Sequence, residues 1–183
     1  MILVIDCEGS SPNPYRGSLL SIGAVELWPG QDAREFYGEC YAPCTAEIQD
    51  EALAVNGFKR EEIGSMGNKQ HPSDLVASFM SWARQLAKPK EEIILAGHNL
   101  GAYDMPLLRL DAYGNNPFSY RTLDLHTIAY TLLGSSMNSG RIYQALGMEL
   151  EPKPHNGLTG AKWEREAFRR LFDKLKQGEI RNA

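Results

Sequence analysis

The sequence predicts an α/β domain, a sheet covered by helices, and three observations carry that expectation. Met1-Ile-Leu-Val-Ile5 sets five apolar residues in a row, three of them β-branched, and reads as a strand buried on both faces. Leu75, Val76, Phe79, Trp82, Ala83 and Leu86 recur at helical spacing. Strand-like runs and helical runs then alternate to the end of the 183 residues, with no repeat, low-complexity stretch or linker between them. The expected organisation is one domain over residues 1–183, long enough to bury a proper core.

The elements follow in order. The opening strand ends in Asp6-Cys7-Glu8, and Gly9-Ser-Ser-Pro-Asn-Pro14 is a dense turn cluster. Leu19–Trp28 and Glu35–Tyr41 read as two more strands turned at Pro29-Gly30, completing a meander. Asp50–Gly57 is a short helix with an Asp start and a Gly stop, followed by a polar loop from Gly64 to Pro72. Ser73 is the expected cap of a helix running to Leu86. Ile93–Gly97 is a buried strand, and a helix with Met105, Leu107, Leu108 and Leu110 begins near Asp104. Tyr120–Asp124 is the fifth strand; helices are expected at 125–133, 139–146 and 158–176, the last after a Pro-rich connection from Glu149 to Asn156.

Composition narrows the function. The formal net charge of −4 argues against non-specific coating of nucleic acid, which rests on many Lys and Arg contacts to phosphate. It leaves room for an enzyme that grips a few nucleotides where bound metals supply the positive charge. Three cysteines without a C-x-x-C pair support neither a disulfide framework nor a zinc site, and Cys7 reads as a small buried hydrophobe. No apolar run reaches the roughly 18 residues that span a bilayer, and no basic region precedes the first strand, so no membrane and a cytoplasmic location are expected.

The chemistry gathers at strand ends. Side chains two apart on a strand point the same way, so Asp6 and Glu8 leave one face of the opening strand together. Two such anions repel each other and resist burial, and a divalent cation with hard oxygen ligands would relieve both costs. The plain alternative is that they begin a solvated loop. Asp104 follows Gly97-His-Asn-Leu-Gly-Ala-Tyr103 at a strand end leading into a helix, where it serves either as a cap or as a third ligand. His155, in the loop before the last helix, is either a solvated side chain or a general base whose unperturbed pKa suits neutral pH.

Taken in register, Asp6-x-Glu8, His98-Asn-x-x-x-Tyr-Asp104 and His155-Asn-Gly-Leu before a final helix resemble the DEDDh (DnaQ-like) 3′–5′ exonucleases. Leu19–Val25 and Glu51–Gly57 are similar to that family's second strand and small helix. The resemblance implies a ribonuclease-H-like fold, a mixed five-stranded sheet flanked by helices. It implies release of nucleoside monophosphates from the 3′ ends of single-stranded DNA or RNA, by two Mg²⁺ or Mn²⁺ ions held by Asp6, Glu8 and Asp104. It further implies that His155 takes a proton from the attacking water, that Gly9, Ser10 and Ser11 lie against the terminal nucleotide, and that His98 and Asn99 bind substrate. Relatives are often dimers, which makes a homodimer an allowed state.

One position departs from the pattern. The family places an Asp five residues after the His, and here that position is Gly160. On the last helix Gly160, Ala161, Ala167, Phe168, Leu171 and Leu175 share one stripe with Glu164 at its centre. Helical side chains lean toward the N-terminus, so Glu164 is expected to reach back over Gly160 and supply the missing ligand. Glu166 falls on the opposite side with Lys162 and Arg169, on a basic outer face that either guides a strand or is merely solvated. If Glu164 is instead solvated or paired with an Arg, the chain is a silent relative that binds nucleic acid ends or a partner protein. A phosphodiesterase for small nucleotides is the third reading.

Overall fold

The structure, a computed structural model, describes residues 1–28, 34–64, 69–154 and 156–177. The Pro29-Gly30 turn and His155 therefore lie outside the described residues. Five strands form one sheet: β1 (Ile2–Gly9), β2 (Leu19–Glu26), β3 (Glu35–Glu39), β4 (Ile93–Gly97) and β5 (Phe118–Asp124). Their order is β3-β2-β1-β4-β5. The first three form the expected antiparallel meander, while β4 and β5 run parallel to β1. The sheet is mixed because hairpins join the first three strands and helical crossovers deliver the last two.

Helices α1 (Asp50–Asn56), α2 (Arg60–Ile63), α3 (Pro72–Leu86), α4 (Asp104–Leu108), α5 (Leu125–Leu133), α6 (Ser139–Ala145) and α7 (Gly157–Lys176) surround it. Alternation along β1 feeds two cores. Leu3, Ile5 and Cys7 meet Leu75, Phe79 and Leu108 on the α3–α4 side, whereas Val4 meets Ala161, Phe168 and Leu171 on the α7 side. Full burial of each large side chain contributes about 1.5–3 kcal/mol. Asp6 and Glu8, in phase with Val4, consequently leave β1 on the face that α7 covers.

Local chemistry explains where the boundaries differ from expectation. The cap of α3 is His71 rather than Ser73: its Nδ1 accepts a hydrogen bond from Ser73 N at 3.2 Å, and Pro72 takes the first helical position, where no backbone donor is needed. Strand β5 starts two residues earlier than its apolar pattern, because Asn116 Oδ1 accepts from Phe118 N and sets the entry. The single turn α2 carries too short a period to announce itself.

A close approach of backbone positions α7. A Cβ on Gly23 in β2 would stand 2.0 Å from the Gly157 carbonyl carbon, and one on Gly157 would stand 2.5 Å from the Asp6 carbonyl oxygen. Two glycines thus let the first turn of α7 rest directly on β1 and β2, which brings Gly160 and Glu164 to the carboxyl end of β1.

Candidate active site

Strands β1 and β4 run side by side and in parallel, and β4 ends at Gly97 against Ile5, one residue before Asp6, at the kind of strand end where open α/β sheets gather ligands. Around those ends is a cavity of about 410 Å³ whose walls include Asp6, Glu8, Asp104, Glu151 and Glu164. Among its described lining residues none is Lys or Arg. Glu8 is 8 % exposed, Asp104 3 % and Glu164 5 %, an unusual depth for three carboxylates.

Each acid is held from a different element. Asp104 is the first residue of α4, yet it does not cap that helix; its Oδ1 accepts from Cys7 N at 2.8 Å, tying α4 to the end of β1. Glu164 projects from α7, and its Oε2 accepts from His98 N at 3.1 Å, just past β4. It neither reaches the surface nor pairs with an Arg among the described residues. Asp6 lies against α7, where an added Cβ on Gly160 would meet its Oδ2 at 1.9 Å and its Cγ at 2.7 Å. The space that Gly160 leaves open is therefore filled by Asp6, a change from the expectation that it clears a path for Glu164.

The remaining sequence-predicted residues divide. Gly9, His98 and Asn99 line the cavity, Asn99 in a left-handed conformation with φ of 55°. Ser10 and Ser11 do not: both are fully buried, with Ser10 Oγ donating to Glu47 O at 2.6 Å and Ser11 Oγ to Glu47 Oε1 at 3.1 Å. Their hydroxyls brace the loop after β1, and Pro12 stands in the cavity wall with Gly9. Sequence reasoning missed Glu151, which sits in an aperiodic Pro-rich loop, and Tyr103, whose hydroxyl donates to Ser11 O at 3.1 Å. It also missed Asn56, whose Nδ2 donates to Gly9 O at 3.2 Å. An Asn just before the Gly that ends α1 reads only as a helix stop, and nothing local marks it as a clamp.

Electrostatically the cavity is under strain. Burial, then Glu164, Glu8, Asp104 and Glu151, push the Asp6 carboxyl well above its ordinary pKa. Burial, followed by Asp104, raises Glu164, against the opposing pull of the His98 N–H. Burial raises Asp104 to about 7, against the Cys7 N–H that lowers it. No three His, Cys, Asp or Glu side chains among the described residues form a ready-made metal cage. The donor set nevertheless fits a hard divalent cation: several carboxylate oxygens converge on one cavity with no protein cation in its described walls.

These raised values set a pH trend. Between the ordinary carboxylate range and about pH 7, the metal-free folded protein binds more protons than the unfolded chain, so its stability falls as pH rises. In chelator, the melting temperature is expected to decline from about pH 5 toward about pH 8, and Mn²⁺ is expected to flatten that decline. A melting temperature that climbs over the same interval in chelator would contradict the repulsive cluster.

No protein-family model matches the chain. A relative from Escherichia coli, the 3′-5′ DNA exonuclease Cap18, is 28 % identical over 182 residues, covering 94 % of this chain and 91 % of the relative. Among solved structures, the nuclease domain of 3′hExo, a DEDDh family member bound to rAMP, aligns over 100 % of this chain and 95 % of its own, with a TM-score of 0.70 and 15 % identity. Exonuclease I of Escherichia coli in complex with a dT13 oligonucleotide aligns with a TM-score of 0.71 at 15 % identity, over 97 % of this chain and 42 % of the longer exonuclease. The chain thus shares the fold of these two solved structures, with its sheet ordered β3-β2-β1-β4-β5. Among the described residues no helix is long and apolar enough to cross a membrane.

Proposed function

We infer that this chain belongs to the DEDDh 3′–5′ exonucleases, hydrolyses single-stranded nucleic acid from the 3′ end with divalent metal and releases nucleoside monophosphates. The observation that carries the reading is the convergence of Asp6, Glu8, Asp104 and Glu164 on one cavity whose described walls hold no Lys or Arg. The similarity of almost the whole chain to a 3′-5′ DNA exonuclease supports it, and makes DNA the first substrate to try.

In this reading Asp6, Glu8, Asp104 and Glu164 hold two Mg²⁺ or Mn²⁺ ions, which when bound stabilise charge on the attacking and leaving oxygens of the phosphodiester. Glu164 takes the part that the family gives to an Asp at position 160. The Cys7 N–H fixes one oxygen of Asp104 and the His98 N–H one oxygen of Glu164, so two carboxylates are aimed before anything binds. His155, from its place in the family motif, accepts the proton of the attacking water. Gly9, Pro12 and Asn99 belong to the wall of the same cavity, and a terminal sugar would rest against them. A ribose 2′-OH at that wall is the group by which RNA would be told from DNA.

The test uses oligonucleotides of DNA and RNA, labelled at the 5′ end, in Mg²⁺, Mn²⁺ or chelator, with wild type and Glu164→Gln. Ladders that shorten from the 3′ end only with metal, and fade by on the order of a hundredfold in Glu164→Gln, are expected. Undiminished cutting by Glu164→Gln would remove Glu164 from the ligand set. Binding of strands by wild type without cutting under any metal would favour the silent relative.

A further inference from the structure

A second cavity of about 390 Å³ lies across the loop that follows β1. That loop is a shared wall: Gly9 and Pro12 face the acids, while Pro14 to Leu19 face the second cavity. The short helix α4 is shared as well, since Asp104 lines the first cavity and Leu107 and Leu108 the second. The two spaces are thus bordered by the same loop and the same short helix.

Their chemistry is opposite. The described lining of the second cavity contains no Asp or Glu, and it presents Arg16, Arg109 and His71 together with the rings of Tyr15 and Tyr113. Arg16 is paired with Glu47 at 2.8 Å. Arg109 makes no hydrogen bond or ion pair through its guanidinium with any described residue. It stands at the end of α4 with a left-handed φ of 47°, a conformation few arginines adopt. Tyr15 is 75 % exposed, a large ring left in water. In a chain of net charge −4, a hollow whose described lining holds no acid, with Arg109 unpaired among the described residues and the exposed ring of Tyr15, is a local exception.

An anion carrying a flat ring satisfies all of these groups. Guanidinium forks match phosphate oxygens, and tyrosine rings stack on bases of any sequence. We propose that the second cavity seats an upstream nucleotide of the same strand whose 3′ end enters the acid cavity, with Arg109 on its phosphate and Tyr15 on its base. The inference rests on the nuclease reading for the identity of the strand. It also names what that reading leaves open, namely how an acidic protein with a repulsive catalytic hollow holds a polyanion. The grip lies next to the acids, on the far side of the loop that Ser10, Ser11 and Glu47 brace.

The test measures equilibrium binding of a 5′-labelled DNA decanucleotide in chelator, alongside turnover of a decanucleotide and a dinucleotide in Mn²⁺. Tyr15→Ala and Arg109→Asn are compared with wild type, Asn being a residue that tolerates the left-handed backbone. Each variant is expected to weaken decanucleotide binding by about tenfold and to raise its KM alike, while dinucleotide turnover stays unchanged. Arg109→Asn should in addition lower the slope of log affinity against log salt by about one, whereas Tyr15→Ala leaves it in place. Decanucleotide affinity equal to wild type in both variants overturns the proposal. So does binding of a free mononucleotide that both variants abolish while strand affinity is untouched. If wild type cuts nothing, the nuclease reading fails, yet the binding comparison still reports on the cavity.

Discussion

Replacing Asp6 by Asn is expected to stop 3′ shortening, by on the order of a thousandfold or more, and at the same time to raise the melting temperature of the metal-free protein. Both effects come from one side chain. Asp6 is pushed toward its neutral form by burial and by Glu164, Glu8, Asp104 and Glu151, so its charge opposes folding whenever no cation is present. Asn keeps the shape and removes the repulsion. For a chain of this size each kcal/mol recovered moves the melting temperature by about 2–4 °C. The same substitution removes a hard anionic oxygen from the proposed metal site, so added Mn²⁺ should stabilise wild type far more than the variant. Thermal melts in chelator and in Mn²⁺, beside a 3′-shortening assay, read all of this in one set of samples. A variant that loses activity and also melts lower in chelator would make Asp6 a structural residue, and one that keeps its activity would move the chemistry out of this cavity.

Gly160→Ala is expected to lower both activity and stability, against the general trend for such a change. In an exposed helix interior Ala is favoured over Gly by about 1 kcal/mol. Here the new Cβ would stand 1.9 Å from Asp6 Oδ2, 2.7 Å from its Cγ and 3.2 Å from its Cβ, so the whole carboxylate must rotate away. A displacement of about 1 Å in a reacting group can cost on the order of a hundredfold in rate, and a loss of that size is expected. Gly160→Asp, which writes the family's usual residue into this position, is expected to do no better. It adds the same Cβ clash and another anion to an already repulsive cluster. Rates and melts for the two variants decide the matter. Higher activity in Gly160→Asp would mean that Asp6 has another productive position and that Glu164 does not stand in for the missing Asp.

How much could be read before the fold was seen differs from residue to residue. The strands and most helices were legible because periodicity reports burial directly: Leu75, Val76, Phe79 and Ala83 recur at helical spacing and are buried together. The cap of α3 lies two residues before Ser73 because the ring nitrogen of His71, a rare cap, accepts the hydrogen bond that a serine hydroxyl usually takes. The resemblance to the exonuclease family sets Ser10 and Ser11 against a nucleotide. Only the loop's fold, with Glu47 reaching back to both hydroxyls, turned them inward.

By itself the sequence determined the α/β architecture and the placing of Asp6 with Glu8 on one strand face, which follow from spacings of two and 3.6 residues, local properties of backbone geometry. The mixed sheet and the departure at Gly160 were legible through the resemblance to the exonuclease family. The tertiary structure alone decided that Asp104 bonds across 97 positions to Cys7 N, that Glu151 joins the cavity, and that Asp6 rather than Glu164 fills the room above Gly160. It also decided that a hollow whose described lining holds no acid, with Arg109 and Tyr15 in its wall, borders the same loop. Each of these joins segments far apart along the chain, through the contact of Gly23 with Gly157 or the packing of α4 on β1, and no periodicity records which distant backbone a side chain will meet.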